Sequence, residues 1–242
     1  HYQPSVSLAE GRVVGFESLM RWQHPEEGLR SPAAFIPVAE ETGMIRDLDD
    51  WALEEACRQM ARWQQEHPAS GRLRVHVNLT AQDLRRADLV ARVHGVLAEY
   101  RLDPGCLVLE LTESMLIEDA EDTIALLETL QAMGVGLSID GFGTGYSSLG
   151  YLQRLPLDTL KVDRSFVTGM EDDPRKRQIV EIIGQLSTQL GLVSVAEGVE
   201  TRAQLHGLRH LGYGLAQGYV FARPLPAAEA RALIGHSFAV TP

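Results

Sequence analysis

Polar side chains stand at the ends of successive apolar runs: Glu17, Asn78, Glu110, Asp140, Lys161 with Asp163, Glu197 and Gln217. In each run the apolar residues hold one phase of a two-residue alternation. Val75, Val77 and Leu79 leave Asn78 on the opposite face, and Leu107, Leu109 and Leu111 leave Glu110 there. Leu137 and Ile139 do the same for Asp140, and Leu160 and Val162 for both Lys161 and Asp163. Side chains two apart on a strand share a face, so these groups can converge. Carboxylates with an amide oxygen are hard ligands that suit Mg²⁺ or Mn²⁺ rather than Zn²⁺. Unpaired, such carboxylates repel one another and their pKa values rise; a divalent ion relieves this and also holds a phosphate. The plainer alternatives are solvation at a strand end and pairing with Lys161.

The elements that must position these residues read as alternating strands and helices. Strand candidates are 13–17, 73–79, 107–111, 135–140, 159–163, 192–197 and 215–221. Helical spacing covers 49–66, 84–100, 123–133, 174–190, 202–211 and 227–234. Asp173-Pro174 and Ser31-Pro32 place a capping residue before proline, and Thr80 with Asp83 makes a weak capping box. Alternation at this spacing implies a parallel sheet and an α/β fold of the TIM-like (β/α)8 barrel type, where strand-end residues converge at the C-terminal mouth. A doubly wound open sheet is the runner-up, but GxGxxG after a first strand is absent.

Composition narrows the partners. The 242 residues carry 33 Asp and Glu against 22 Lys and Arg, a formal net charge of -11. That balance argues against a polynucleotide partner. Cys57 and Cys106 form no disulfide framework or CxxC, which suits a reducing, cytoplasmic setting. There is no long apolar run and no signal peptide. The opening His1-Tyr2-Gln3-Pro4 lacks an initiator methionine. The expectation is one barrel domain over 1–242, cut from a longer protein.

Other segments are weaker alone. Gly141-Phe142-Gly143-Thr144-Gly145 is a phosphate-cradling loop, a lid or a plain tight turn. His206 and His210 share a helix face without a third ligand nearby. Arg175-Lys176-Arg177 reads as a solvated face, and Trp22, Trp51 and Trp63 as packing residues, with Trp22 a second candidate for the mouth.

In order along the chain, Gly15-Phe16-Glu17-Ser18-Leu19 with Arg21-Trp22, Val77-Asn78-Leu79-Thr80 and Glu110-Leu111-Thr112-Glu113-Ser114 are followed by 140–149, DGFGTGYSSL. Then come Leu160-Lys161-Val162-Asp163, Ala196-Glu197-Gly198-Val199-Glu200-Thr201 and Ala216-Gln217-Gly218-Tyr219. This set resembles the EAL-domain family of cyclic di-GMP phosphodiesterases, from Tyr2 to Pro226. The resemblance implies a TIM-like barrel with one irregular antiparallel strand, and hydrolysis of cyclic di-GMP to linear pGpG with Mg²⁺ or Mn²⁺, Ca²⁺ supporting binding but not turnover. It implies Glu17, Asn78, Glu110 and Asp140 as ligands of a first metal. Lys161 would orient the attacking water and phosphate. Glu197 would be a metal or water ligand and candidate general base, and Asp163 a second-metal ligand or a support for Lys161. Gln3, Arg21 and Gln217 would contact substrate, with Pro32, Phe35 and Ile36 offering an apolar wall for a guanine. Glu113 would brace the glycine-rich loop. Family members commonly dimerise and follow a sensory or diguanylate-cyclase-like domain.

Two positions depart from the family pattern. Ser18 stands where the signature has alanine, a small-for-small change. Gly141 stands where the second of two successive aspartates helps hold a second metal. Glycine offers no carboxylate and loosens the loop. Strict alternation also keeps Asp140 from standing in. Two functions therefore remain open: a phosphodiesterase of reduced activity, and a silent cyclic di-GMP receptor.

Overall fold

The computed structural model describes residues 1–116, 120–145 and 149–240. Eight strands close into a barrel: β1 (Tyr2–Ser7), β2 (Val13–Ser18), β5 (Arg74–Asn78), β6 (Leu107–Thr112), β7 (Gly136–Phe142), β8 (Thr159–Val162), β9 (Val193–Ala196) and β10 (Leu215–Gln217). A short hairpin, β3 (Trp22–His24) with β4 (Gly28–Arg30), stands apart. The expected TIM-like barrel is therefore the observed fold. Strands β2 and β5 to β10 run parallel around it, while β1 pairs antiparallel with both β2 and β10 and closes the ring.

Helices α1 (Ile36–Thr42), α2 (Ile45–Glu66), α3 (Ala81–Leu84), α4 (Leu89–Tyr100), α5 (Ala120–Ala132), α6 (Leu149–Leu152), α7 (Arg164–Val167), α8 (Pro174–Gln189), α9 (Arg202–His210) and α10 (Ala227–Arg231) alternate with the strands. Among the described residues no helix is long and apolar enough to cross a membrane.

The core lies between strands and helices, and alternation explains it. Outward Val75, Val77, Leu107, Leu109, Leu111, Leu137, Ile139, Leu160 and Val162 are all buried. Trp63 of α2 packs edge-on to Tyr2 and tilted on Phe16, with ring centroids 4.8 and 4.9 Å away. Removing such a buried aromatic costs about 3–5 kcal/mol.

Several expectations need correction. The segment 84–100 is two helices, because the Thr80–Asp83 capping box starts α3 early and the chain turns before Leu89. Ser31 precedes only a 3₁₀ turn, Pro32–Ala34, and its side chain makes no cap hydrogen bond. Trp22 and Trp51 are 46% and 54% exposed, so only Trp63 packs in the core. Lys176 is not merely solvated: its Nζ donates to the carbonyls of Ser165 and Thr168 and ties α8 to α7. The last strand ends at Gln217 and not at Phe221.

Candidate active site at the barrel mouth

Strand register brings the polar strand ends to one level. Gln3 pairs with Glu17, Asn78 with Glu110, and Thr112 with Asp140. Their side chains meet around Lys161, whose Nζ lies 2.7 Å from Glu197 Oε1, 2.9 Å from Glu110 Oε2, 3.1 Å from Glu17 Oε2 and 3.6 Å from Asp140 Oδ1. Lys161 is 1% exposed. A lysine so buried requires paired charge, because an isolated ammonium in a low-dielectric interior is very costly.

The surrounding hydrogen bonds fix the carboxylates. Asn78 Nδ2 donates to Glu17 Oε1 at 3.1 Å. Gln217 Nε2 donates to Glu17 Oε2 at 2.7 Å and to Gln3 Oε1 at 3.1 Å. Gln3 Nε2 in turn donates to the carbonyl of Ala222. His76, one inward position below Asn78, places Nδ1 2.8 Å from Glu110 Oε1. Gln3, Glu17 and Gln217, with Asp140, Asp163, Glu197 and Tyr219, wall a cavity of about 590 Å³.

Electrostatics differ from one carboxylate to the next. Burial works to raise the Glu110 pKa, but the Lys161 ammonium and His76 outweigh it and hold it at about 2. Burial pushes Glu197 up to about 8, with Asp140 and Glu17 adding and Lys161 opposing. Burial lowers Lys161, yet Glu110, Glu17, Glu197 and Asp140 together raise it well above the usual lysine value. Two carboxyls whose environments push them in opposite directions are a recurring property of catalytic centres.

Asp140 Oδ1 is buried with no hydrogen-bond partner among the described residues, an orphan acceptor next to Glu17 and Glu110 across Lys161. As the side chains stand, no three His, Cys, Asp or Glu groups among the described residues are drawn together as metal ligands. Lys161 occupies the centre of the carboxylates instead. The chemistry of Glu17, Asn78, Glu110 and Asp140 nonetheless fits Mg²⁺ or Mn²⁺: hard oxygens, excess negative charge and an unsatisfied acceptor.

The glycine-rich segment is also explained in part. Glu113 Oε2 accepts the backbone N–H groups of Gly143 and Gly145, at 3.1 and 3.0 Å. Tyr146, Ser147 and Ser148 of the same motif lie outside the described residues. Between Ile139 and Phe142 strand β7 carries one residue more than β8, a bulge made by Asp140 and Gly141. Gly141 has φ +66. Bulges of this kind break alternation and re-aim side chains. The expectation that strict alternation governs Asp140 and its neighbour is therefore corrected.

Other candidates fall elsewhere. Asp163 edges the cavity, but its Oδ1 accepts the N–H of Ser165 at 2.8 Å and caps α7, and Lys161 pairs with other carboxylates. Arg21 Nη1 donates to its neighbour's carbonyl, Met20 O. Arg21 opens on an adjoining apolar hollow of about 560 Å³ lined by Trp22, Phe35, Val38 and Trp51. Pro32 opens the preceding 3₁₀ turn and Ile36 is the first residue of α1, and neither is part of that lining. His206 and His210 stand on α9 with ring centroids 4.2 Å apart and planes tilted by 53°. Sequence reasoning missed His76, although it shares the inward phase of Asn78. It also missed the Arg223 guanidinium over the half-exposed Tyr219 ring, 4.1 Å from its centroid.

A family profile described as EAL domain matches residues 1–224. The bifunctional diguanylate cyclase/cyclic di-GMP phosphodiesterase MucR of Pseudomonas aeruginosa is 46% identical over 229 residues, 95% of this chain and 33% of that protein. The cyclic di-GMP phosphodiesterase NbdA of the same organism is 50% identical over 229 residues, 94% of this chain and 29% of that protein. The chain thus spans about a third of the length of these relatives. A solved structure described as the PaMucR phosphodiesterase in complex with c-di-GMP superposes with a TM-score of 0.91 at 46% identity, covering 95% of this chain and 92% of that one.

Proposed function

This chain belongs to the EAL domain family, and on that premise we propose that it binds cyclic di-GMP and hydrolyses one phosphodiester to give linear pGpG with Mg²⁺ or Mn²⁺. The single observation that carries this reading is the ring of Glu17, Glu110, Asp140 and Glu197 about the buried Lys161, beneath a cavity of dinucleotide size.

Each residue has a task in this reading. Glu17, Asn78, Glu110 and Asp140 would hold the ion. Bound there, the ion would supply Lewis-acid polarisation of a phosphate oxygen and a more acidic water. Lys161 offers a fixed positive charge toward the reacting phosphate, placed before substrate arrives. Glu197 takes the proton of the attacking water on a carboxylate oxygen, a role for which it must be ionised, and the Lys161 ammonium 2.7 Å away favours that form. Gln217 and Gln3 hold one another and the Glu17 carboxylate, and face the cavity where substrate would lie. Asp163 at the cavity wall orders α7 beside the same space.

Gly141 favours a second reading, a receptor that binds cyclic di-GMP without turnover. The retained Glu17, Asn78, Glu110, Asp140, Lys161 and Glu197 favour the enzyme, slower than with a carboxylate at 141. We further propose an upstream sensory or diguanylate-cyclase-like domain, which the greater length of the relatives supports, and a cytoplasmic homodimer.

The test is a paired measurement on the purified chain. Cyclic di-GMP is titrated in Ca²⁺, then followed chromatographically in Mg²⁺ and Mn²⁺. Binding with pGpG formation is the expected result. Binding without pGpG, even at high Mn²⁺, makes it a receptor, and no binding overturns both.

A further inference from the structure

We propose that His76 is the positioning residue for Glu110, holding one carboxylate oxygen so that the other is presented to the centre of the barrel mouth. The inference rests on the reading of Glu110 as a divalent-ion ligand, and deepens it.

The geometry addresses the two oxygens separately. Oε1 lies 2.8 Å from His76 Nδ1, and Oε2 lies 2.9 Å from Lys161 Nζ. The side chains of His76 and Glu110 are 8% and 0% exposed, so water does not compete for the contact. A ring nitrogen beside an ionised, buried carboxylate donates to it, which fixes the proton on Nδ1.

The backbone holds the imidazole in turn. His76 pairs with Glu17 across β2 and with Val108 across β6. Its carbonyl accepts the Ser18 hydroxyl at 2.9 Å, so the serine of the signature triplet anchors the strand that carries His76. On the other flank Glu110 pairs with Ser138, whose hydroxyl is buried and has no hydrogen-bond partner among the described residues. Among the described residues, support for Oε1 therefore comes from β5.

Hydrogen bonds behind a ligand carboxylate lower the cost of orienting it, and removing such a partner typically weakens metal binding about 10–100-fold. A satisfied core histidine without this role predicts no such change.

The test reads Mn²⁺ uptake by titration calorimetry on the whole chain, without substrate. Variants are His76→Val, His76→Asn, whose amide nitrogen falls near Nδ1, and His76→Gln, whose amide falls nearer Nε2. Thermal unfolding in EDTA reports folding separately. We expect about 10–100-fold weaker Mn²⁺ binding in the valine and glutamine variants and recovery to within a few-fold in the asparagine variant. At saturating Mn²⁺, kcat should return toward wild type in all three.

Wild-type uptake matched by the folded valine variant overturns the role of His76 alone. If the valine variant does not fold, equal affinities in the asparagine and glutamine variants overturn it. No Mn²⁺ uptake by the wild type overturns the ion-ligand reading of Glu110, and this inference with it.

Discussion

Lys161 Nζ lies 2.7 Å from Glu197 Oε1, the shortest of four contacts it makes with carboxylates from separate strand ends. One ammonium thus balances part of a larger negative charge. Glu17 and Glu110 make no other ion pair of this strength with a lysine or arginine among the described residues. Replacing Lys161 by methionine leaves buried carboxylates without their cation. Breaking a buried pair from one side costs about 3–5 kcal/mol. The Lys161→Met chain should therefore melt well below wild type in EDTA, and Mn²⁺ should raise its melting temperature more than it raises wild type's. An unchanged melting temperature in EDTA would show that the carboxylates are not held by Lys161.

Gly141 sits in the β7 bulge at φ +66, and among the described residues a Cβ built there meets only Thr144 Oγ1, at 3.9 Å. Space is available, so the conflict is one of backbone conformation. Left-handed backbone costs an ordinary L-residue roughly 1–2 kcal/mol, and aspartate tolerates it better than most. Gly141→Asp should thus lower the melting temperature by a few degrees. It should raise pGpG formation at least tenfold at limiting Mn²⁺, if a second-metal carboxylate is what this chain lacks. A folded variant with no gain in hydrolysis would remove Gly141 as the reason for slow turnover.

Glu113 Oε2 accepts two backbone N–H groups of the glycine-rich segment, from Gly143 and Gly145. Charge-assisted bonds to backbone amides are stronger than neutral ones. Glu113→Ala should expose both amides to faster hydrogen exchange, by about tenfold or more for a loss of about 1.5–3 kcal/mol per bond. Exchange rates at 143 and 145 equal to wild type would mean that the loop holds its shape without Glu113.

Much of this site was legible because its strands are parallel and regular. Apolar residues at every second position in β5, β6 and β8 left Asn78, Glu110 and Lys161 facing inward, and the structure places them there. The reading stopped where regularity stops. Strand β1 holds Pro4, which donates no hydrogen bond, and pairs antiparallel, so neither its composition nor a βα rhythm announced it. The bulge at Asp140–Gly141 adds one residue, which a period-two argument cannot register. His76 was visible in phase with Asn78, yet a lone histidine between valines carries no signal until Glu110 is seen 2.8 Å away. Trp22 and Trp51 show the reverse error: their size suggested core, but they line an open groove.

Glu197 gives the protein without metal a pH dependence of definite sign. Burial, Asp140 and Glu17 raise its folded pKa from an ordinary 4.5 to about 8. Between those values the folded chain binds a proton that the unfolded chain does not, so stability falls as pH rises. The contribution is fully present below about 4.5 and lost once pH passes about 8. Glu110 has the opposite sign: its pKa is held at about 2, so its contribution is lost only as pH falls through that value. The Glu197→Gln variant isolates the first effect. In EDTA, the melting temperature of wild type minus that of Glu197→Gln should decline steadily from pH 5 to pH 8.5. A difference that is flat or rising over that range would mean that Glu197 is already ionised at neutral pH, stabilised by Lys161 at 2.7 Å more than it is opposed by burial and by Asp140.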